Sequence, residues 1–512
     1  MALSIPITGI GQDYKVPGGF AEILYGQGPA SAFAPGRSAV LCMPMLTTGT
    51  WTVNTLYKVR NEGDAETGGG PGSVIHRGAR AYLKVNKDSE LWALPYAAVA
   101  ETDSVQATCA LTFTDTATAP GTIDVYVAGE LCSYSFATGA TITGIGDGVV
   151  GAVNARTWLP VTAANADGVV TLTAKTAGAS QGTASVASIR VHAEISSGVT
   201  TTVTADGAFL GTGTPGADGS ASEVTNLTTA LAVIDSVRLY YVVTSIVDTT
   251  GFDALVTHLT AKSTPKSGRR SVGIGAYSGV LADAITLATA ENYERLTIAW
   301  QPSAETDPAT LAATLAAVRQ QKEATDSAYN FDGTGLSRWI PRQYTADLYP
   351  DNDDVNDAIN GGLSPIASGP SGTYLVMSLN TRSKNSAGTV NDFRATETHR
   401  ISVTDEFVDE ELDDFAKNYA GKKLEADELL ADGSPNPNQK LKRGVIRPST
   451  FAPHIGARME RYSDDAKLQD LDASKESLRV VKTGSRLESG FDLHVIDHLH
   501  QATYRVAEVS EG

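Results

Sequence analysis

Apolar and polar residues alternate along the stretch from about residue 103 to residue 200. This stretch is rich in Thr and Val, and turn residues interrupt it at short intervals, as in "ALTFTDTATAPGTIDVYVAGE". Several short strands with almost no helical periodicity are typical of an antiparallel β domain. The pattern therefore predicts an inserted β-sandwich over residues 103–200.

Between residues 201 and 330 the pattern changes to alternating helices and strands. Apolar positions spaced three and four apart predict helices that separate three apolar strands, at residues 237–243, 270–277 and 295–300. Another helix is predicted to begin at Pro308, because proline is favoured in the first helical position. Such alternation is typical of βαβ units that build a parallel or mixed sheet, so we predict an α/β body here.

The first part of the same α/β body is predicted over residues 26–102. Two continuous apolar runs, "RSAVLCMPML" and "SELWALPY", suit short strands that are covered on both faces. The intervening "NEGDAETGGGPGS" is rich in glycine and polar residues, so a surface loop is predicted between the two strands.

A mixed α+β region is predicted over residues 331–489. "DNDDVNDAINGG" lacks the ligand spacing and the glycine of a calcium loop and is predicted to be a capped helix. A β-hairpin that turns at residues 368–372 follows it. The segment "TDEFVDEELDDFAKNY" predicts a helix with a solvated acidic face, which leaves room for a basic neighbour. Its apolar stripe consists of Val408, Leu412, Phe415 and Tyr419. Ser449 is predicted to cap a further helix, and a long strand is predicted over residues 491–509.

The composition limits the classes of function. The chain has 512 residues, a formal net charge of −18 and no run rich in Lys or Arg, so a nucleic-acid partner is not expected. No apolar stretch approaches the roughly 20 residues of a membrane span, and the start lacks the pattern of a signal peptide. We therefore expect a soluble chain made in the cytoplasm. Cys42, Cys109 and Cys132 are too few for a disulfide framework and are expected to be free thiols.

No candidate catalytic site stands out. The glycines of "SVGIGAYSG" differ in spacing from a dinucleotide-binding motif, which favours a tight turn, and no P-loop lysine is found. His494, His498 and His500 alternate along the predicted terminal strand. Since no Cys or carboxylate lies at a typical ligand spacing, imidazoles that face solvent or a partner are favoured over a zinc site. We expect no catalytic residue, no cofactor and no metal.

Both ends of the sequence are predicted to be extended arms, over residues 1–25 and 490–512. In "QDYKVPGGFAEI" a proline and two glycines interrupt an apolar strand pattern, and proline cannot donate to a sheet ladder. A bend at this point would let the arm leave its own body. The arm could then add a strand to a neighbour's sheet, where main-chain hydrogen bonds supply the affinity.

The opening "YKVPGGFAEI" is similar to the start of contractile phage tail sheath proteins, especially those of the Mu-like branch. The resemblance continues through "SELWALPY", the β-rich insert, the α/β stretch up to Trp300, "VNDAINGGLSPI" and "KRGVIRPSTFAPHIGARMERY". These segments follow one another in the expected order over most of the chain. The segment "DEFVDEELDDFAKNYAGKK" is more acidic than the family pattern leads us to expect.

This resemblance implies a structural subunit and not an enzyme. Sheath subunits form hexameric rings that stack in a helix around a tail tube, and they contract to drive the tube through the host cell envelope. The implied partners are neighbouring sheath subunits, the tail tube protein, and the baseplate and tail terminator proteins. The implied location is the contractile tail of the virion, assembled in the host cytoplasm.

The resemblance also implies that N- and C-terminal arms link the subunits by strand exchange. The corresponding N-terminal positions here are Tyr14, Lys15, Val16, Pro17, Gly18 and Glu22. The C-terminal strand positions are Leu493, Val495, Tyr504 and Val506.

Three alternatives stay open at this point. The same kind of subunit serves in a phage-derived injection device or a contractile bacteriocin, which the neighbouring genes would distinguish. The β-rich insert is compatible with an adhesin or decoration protein, which glycan or cell binding by the insert would reveal. The α/β stretch is compatible with a nucleotide-dependent enzyme, which would gain thermal stability from nucleotides.

Overall fold

The computed structural model describes most of the chain between residues 37 and 500. The described ranges are 37–99, 106–177, 182–183, 186–187, 189–196, 201–203, 220–385 and 395–500. The predicted N-terminal arm and the part of the predicted C-terminal arm beyond residue 500 lie outside these ranges. Within them, no helix combines the length and the apolar character needed to cross a bilayer.

Strands and helices follow one another through the described chain. The strands are β1 (Ala39–Met45), β2 (Tyr57–Val59), β3 (Leu91–Ala97), β4 (Thr108–Phe113), β5 (Gly121–Val127), β6 (Glu130–Phe136), β7 (Val161–Ala166), β8 (Val169–Ala174), β9 (Gly182–Thr183), β10 (Val186–Ala187), β11 (Val191–Ile195), β12 (Thr201–Val203), β13 (Tyr241–Thr244), β14 (Val272–Tyr277), β15 (Leu296–Trp300), β16 (Thr334–Gly335), β17 (Ser364–Gly369), β18 (Gly372–Leu375), β19 (Lys423–Leu424), β20 (Val445–Ile446), β21 (Arg479–Thr483) and β22 (Arg486–Gly490). The helices are α1 (Glu62–Gly69), α2 (Val74–Val85), α3 (Ile142–Asn154), α4 (Ser220–Val233), α5 (Thr249–Lys262), α6 (Leu281–Glu291), α7 (Pro308–Glu323), α8 (Asn352–Asn360), α9 (Thr398–Asp414), α10 (Pro448–Asp464) and α11 (Leu471–Ser477).

A nine-stranded sheet lies at the centre of the fold, in the order β16-β18-β17-β15-β14-β13-β1-β3-β2. The strands from β17 to β3 pair in parallel. Strands β2, β18 and β16 pair antiparallel at the two ends of the sheet. This topology confirms the predicted α/β body with a parallel or mixed sheet.

Helices cover both faces of the sheet, and strand β1 illustrates the consequence for the sequence. All of its residues are buried. Leu41 and Met43 belong to the core formed with α2 and α7, whereas Val40 and Cys42 belong to the core formed with α4, α5 and α6. Because alternate residues of a strand point to opposite faces, a strand covered on both sides needs a continuous apolar run.

Helix α1 occupies the glycine-rich stretch at residues 61–73, so the prediction of a surface loop there is wrong. The Asn61 side chain caps the helix by accepting a hydrogen bond from the Asp64 amide at 3.0 Å. The glycines permit close packing, since a Cβ on Gly68 would lie 2.0 Å from the ring of Trp51. The high content of glycine and polar residues therefore led to the wrong prediction, because here it belongs to a short capped helix whose glycines allow close packing.

The insert between β3 and α4 contains two antiparallel sheets, in the orders β11-β5-β6 and β12-β4-β8-β7. They enclose a common core that includes the buried free thiols of Cys109 and Cys132. Helix α3 adds Ile145 and Val149 to this core. The predicted antiparallel strands are confirmed, and the insert also contains a helix that the pattern did not predict. The several glycines of α3 diluted its apolar periodicity.

The C-terminal region contains the predicted capped helix and hairpin. Asp351 caps α8 by accepting a hydrogen bond from the Asp354 amide at 2.8 Å, and β17 turns into β18 at residues 369–372. Helix α10 begins one residue before Ser449, and its N-cap is Arg447. The predicted helix is therefore confirmed and its predicted cap is wrong.

The strand predicted over residues 491–509 is wrong in its described part. Residues 491–500 contain one isolated bridge, between Val495 and Leu468. The carbonyl of His494 accepts from the Gln469 amide at 2.7 Å. The carbonyl of Ile496 instead faces a side chain of α9. The segment packs against its own chain. Its backbone groups form hydrogen bonds with residues 467–469 and with α9, instead of pairing along one strand.

Candidate functional site: the amino edge of the sheet and helix α9

Four arginines line one edge of the central sheet. Arg37, Arg238, Arg270 and Arg295 precede β1, β13, β14 and β15, which are adjacent parallel strands. Because parallel strands begin at the same edge, their amino ends bring these four side chains together. None of the four was predicted as a site residue. The available signal was an arginine at the first or second position of each predicted apolar strand.

Helix α9 docks on this edge through two buried carboxylates. Arg295 makes two hydrogen bonds to Asp405, at 2.7 and 2.9 Å, and Arg270 Nε lies 3.0 Å from the same carboxylate. Asp409 accepts from Arg238 and from Arg270 at 2.5 Å each. The predicted solvated acidic face is therefore wrong for Asp405 and Asp409, and the expected basic neighbours belong to the same chain.

The arginines keep Asp405 ionised although it is fully buried. Burial alone would raise the pKa of this carboxyl group, but the adjacent Arg295 and Arg270 guanidinium groups hold the pKa below its ordinary value. A buried ion pair of this kind is strongly destabilised when one partner is removed, because the other charge is left without compensation. The pairs therefore fix the position of α9 on the sheet.

Arg37 forms a second junction between the sheet edge and α9. Its guanidinium donates to the Ser402 hydroxyl and carbonyl, both at 2.9 Å, and pairs with Glu323 at the end of α7. It also donates to the Tyr241 hydroxyl at 3.1 Å. The guanidinium lies over the ring of Tyr240, 4.3 Å from the ring centre. The first described residue is thus held by α7, α9 and β13 together.

The segment at residues 491–500 meets α9 on its first turn. His399 lies with Nε2 at 3.1 Å from the Ile496 carbonyl, and Arg400 pairs with Asp497. Leu493 and Val495, two predicted C-arm positions, are buried in a small core that includes residues of α9 and α10. In this chain their side chains stabilise the C-terminal region, and their role between subunits stays a prediction.

The remaining predicted arm positions lie outside the described residues. These are Tyr14, Lys15, Val16, Pro17, Gly18, Glu22, Tyr504 and Val506. Within the described residues, Arg37 and residues 496–497 contact neighbouring turns of α9. Helix α9 is therefore the element through which both ends of the described chain are attached.

Helix α10 is held on the other end of α9. Arg458 is nearly buried and pairs with Glu410, Glu411 and Asp414. Arg461, one turn away, also pairs with Glu410 but is half exposed. These contacts give the acidic end of α9 a basic neighbour within the chain and join the sheet, α9 and α10 into one unit.

The glycines of "SVGIGAYSG" serve packing. Gly273 and Gly275 lie within β14 and not in a turn after it, so the predicted tight turn is wrong for these two. A Cβ on Gly275 would lie 2.4 Å from Phe252 of α5, and one on Gly273 would lie within 3 Å of Leu255 and Leu259. The glycines let α5 approach the strand closely.

Among solved structures, the chain is similar to several sheath proteins. The chain is similar to the sheath tail protein from Desulfitobacterium hafniense (TM-score 0.45, 11% identity, covering 95% of this chain and 97% of that chain). It is also similar to the sheath tail protein from Listeria innocua (TM-score 0.43, 11% identity, 91% and 97% covered). A third is the contracted helical sheath of the anti-feeding prophage (TM-score 0.43, 8% identity, 98% and 100% covered). No protein-family model matches the sequence, and no curated protein does.

Proposed function

We propose that this protein is the structural subunit of a contractile tail sheath. Its copies would form hexameric rings that stack in a helix around a tail tube and contract to drive the tube through a cell envelope. The ordered sequence resemblance over most of the chain supports this proposal. Growth into an open helix is what heterologous, non-closing contacts between identical subunits produce.

The observation that carries the proposal is that both ends of the described chain, Arg37 and residues 496–497, contact α9. A load applied to either arm would pass to this helix, through Arg37 at one end and through residues 496–497 at the other. The buried pairs of Asp405 and Asp409 would then transmit the load to three strands of the sheet, β13, β14 and β15. Such a subunit moves as a rigid body while its arms keep it connected to its neighbours.

The proposal assigns each part of the chain to a domain of the sheath subunit. Residues 1–25 and 490–512 form the arms. Residues 26–102 and 201–330 form the body, residues 103–200 an outward-facing β-sandwich, and residues 331–489 the region next to the tube. The partners are neighbouring subunits, the tail tube protein, and baseplate and terminator proteins. The proposed location is the virion tail, and the work is mechanical and not enzymatic.

Assembly of truncated chains tests the arm proposal. Purified full-length protein, a form that lacks residues 1–20 and the double variant Tyr504→Asp, Val506→Asp are compared by negative-stain electron microscopy. We expect tubes or stacked rings from the full chain and folded monomers from the other two. Ser510→Asp, beyond the predicted strand positions, is the matched control and should assemble normally. Long tubes from the truncated form would contradict the arm assignment.

A further inference from the structure

Three titratable side chains meet where the C-terminal segment crosses the start of α9. One possible ligand atom from each of Glu397, His498 and His500 lies within 4.8 Å of the others. The carboxylate comes from a residue about a hundred positions earlier in the chain, so ligand spacing in the sequence could not reveal it. His494, the third histidine of the predicted strand, does not belong to this group.

The distances suit a small cation. Glu397 Oε2 lies 3.2 Å from His500 Nε2 and 3.6 Å from His498 Nδ1. In a tetrahedral zinc site with ligands at about 2.0–2.1 Å, two ligand atoms are about 3.3 Å apart. The two distances from Glu397 Oε2 are therefore close to the separation of two ligands around a first-row metal ion.

The outer nitrogens of both imidazoles are held by acceptors. His498 Nε2 lies 2.8 Å from the carbonyl of Ala328, and His500 Nδ1 lies 2.5 Å from the carboxylate of Asp332. A carbonyl and an ionised carboxylate can only accept, so these two nitrogens carry the hydrogens. The inner nitrogens of the neutral rings therefore present lone pairs, which is the arrangement that orients metal-binding histidines.

His500 Nε2 and His498 Nδ1 face a carboxylate oxygen of Glu397, so either a ring proton or a bound cation has to lie between nitrogen and oxygen. His399 Nδ1 lies 3.2 Å from the same oxygen of Glu397, and its Nε2 faces the Ile496 carbonyl. The group lines a pocket of about 10 Å³, which is room for one water-sized particle. Charge, geometry and space thus agree on a single bound ion.

We propose that Glu397 Oε2, His498 Nδ1 and His500 Nε2 bind a zinc ion, with water or His399 Nδ1 in the fourth position. Two imidazoles and one carboxylate suit zinc better than calcium or magnesium, which prefer oxygen ligands. The ion would fasten residues 498–500 to the first turn of α9. This inference concerns ion binding and does not depend on the proposed sheath function.

Direct metal binding by the full-length chain tests the proposal. Protein dialysed against a chelator is titrated with zinc sulfate by calorimetry, and bound zinc is measured by elemental analysis after desalting. We expect one zinc per chain. Glu397→Gln and His500→Gln should each weaken binding by at least tenfold, and Asp332→Asn, which alters the orienting partner, by about tenfold.

His494→Gln is the matched control, because it changes a histidine of the same segment outside the group, and it should bind like the unmodified chain. Circular dichroism establishes that each variant is folded, and His500 is partly exposed and tolerates substitution best. Absorption of a Co²⁺-loaded sample adds a readout of tetrahedral coordination. A folded chain that retains no zinc, or variants that bind as tightly as the unmodified chain, would overturn the proposal.

Discussion

Arg295 and Asp405 form a two-point ion pair, at 2.7 and 2.9 Å, between the start of β15 and the middle of α9. Both side chains are almost completely buried. The pair lies at the amino edge of the sheet, whereas ligands of open α/β sheets bind at the carboxyl edge. This buried cluster of charges therefore joins structural elements at the edge of the sheet opposite to the usual ligand-binding edge.

Removing the charge of Asp405 should destabilise the protein strongly. In Asp405→Asn the buried Arg270 and Arg295 lose their shared counter-charge, and breaking a buried pair costs about 3–5 kcal/mol. The free energy of unfolding, measured by urea titration with circular dichroism, should fall by that amount. Asp413→Asn, on the exposed side of the same helix, is the control and should change it by less than about 1 kcal/mol. Equal effects of the two substitutions would contradict the role assigned to Asp405.

The attachment of α10 to α9 should depend on Arg458 and little on Arg461. Arg458→Gln leaves Glu410, Glu411 and Asp414 close together without their common partner, and a loss of about 2–4 kcal/mol is expected for this nearly buried group. Arg461→Gln removes a half-exposed pair, with a loss below about 1 kcal/mol.

The effect of salt on stability should also differ between the Arg458→Gln and Arg461→Gln variants. Repulsion among the carboxylates left by Arg458→Gln is screened by salt, so part of the lost stability should return between low and high NaCl concentration. The comparison uses the same urea titrations at both salt concentrations. If Arg458→Gln were as stable as Arg461→Gln at low salt, Arg458 would not be the residue that holds α9 and α10 together.

Hydrophobic periodicity was sufficient for the body and insufficient for α9. Strands β13 to β15 and the helices between them were predictable, because each buries an apolar face at the expected period. In α9 the predicted stripe residues Val408 and Leu412 are only half buried, while Asp405 and Asp409 are buried. In the sequence, a carboxylate that is buried against arginines of distant strands cannot be distinguished from a carboxylate that faces solvent, because both are polar positions of the helix.

Contacts between distant parts of the chain explain the other differences. Glu397 meets His498 and His500 only after the chain has folded, so no local spacing marks the group. The residues 491–500 have the composition of a strand, but their backbone bonds to α9 and to residues 467–469. The local sequence pattern predicts helices and strands. It does not predict which distant residue accepts or donates a hydrogen bond to the backbone of an extended segment, because the tertiary fold determines that partner.

Gly275 should not tolerate even alanine. The added methyl group would lie 2.4 Å from Phe252 in a fully buried strand, and overpacking of this kind costs about 1–3 kcal/mol. Gly456→Ala is the matched control, since a Cβ there meets nothing within 4 Å and alanine favours the helix by up to about 1 kcal/mol. Thermal unfolding should therefore shift in opposite directions for the two variants. An unchanged transition for Gly275→Ala would mean that α5 does not pack closely on β14.

The buried His76 should make the protein sensitive to mild acid. Burial lowers the pKa of His76 from 6.5 to about 4, an effect that Glu66 opposes and that Arg77 and Arg80 reinforce. The ring nitrogen Nδ1 accepts from the Gly72 amide at 3.0 Å, so a proton on this nitrogen would break the hydrogen bond. Between pH 6.5 and about pH 4, the imidazole of His76 is therefore neutral in the folded chain and protonated in the unfolded chain.

The sign of the pH dependence follows from this difference. Between pH 6.5 and pH 4 the unfolded state binds a proton that the folded state does not, so the contribution of His76 is complete above pH 6.5 and is lost as the pH falls. The loss at pH 4.5 is about 2–3 kcal/mol. His76→Gln keeps a possible acceptor for Gly72 and cannot be protonated. Urea titrations at pH 7 and pH 4.5 should show that the variant loses about 2–3 kcal/mol less than the unmodified chain over this interval. An identical loss in both proteins would mean that His76 does not carry the acid sensitivity.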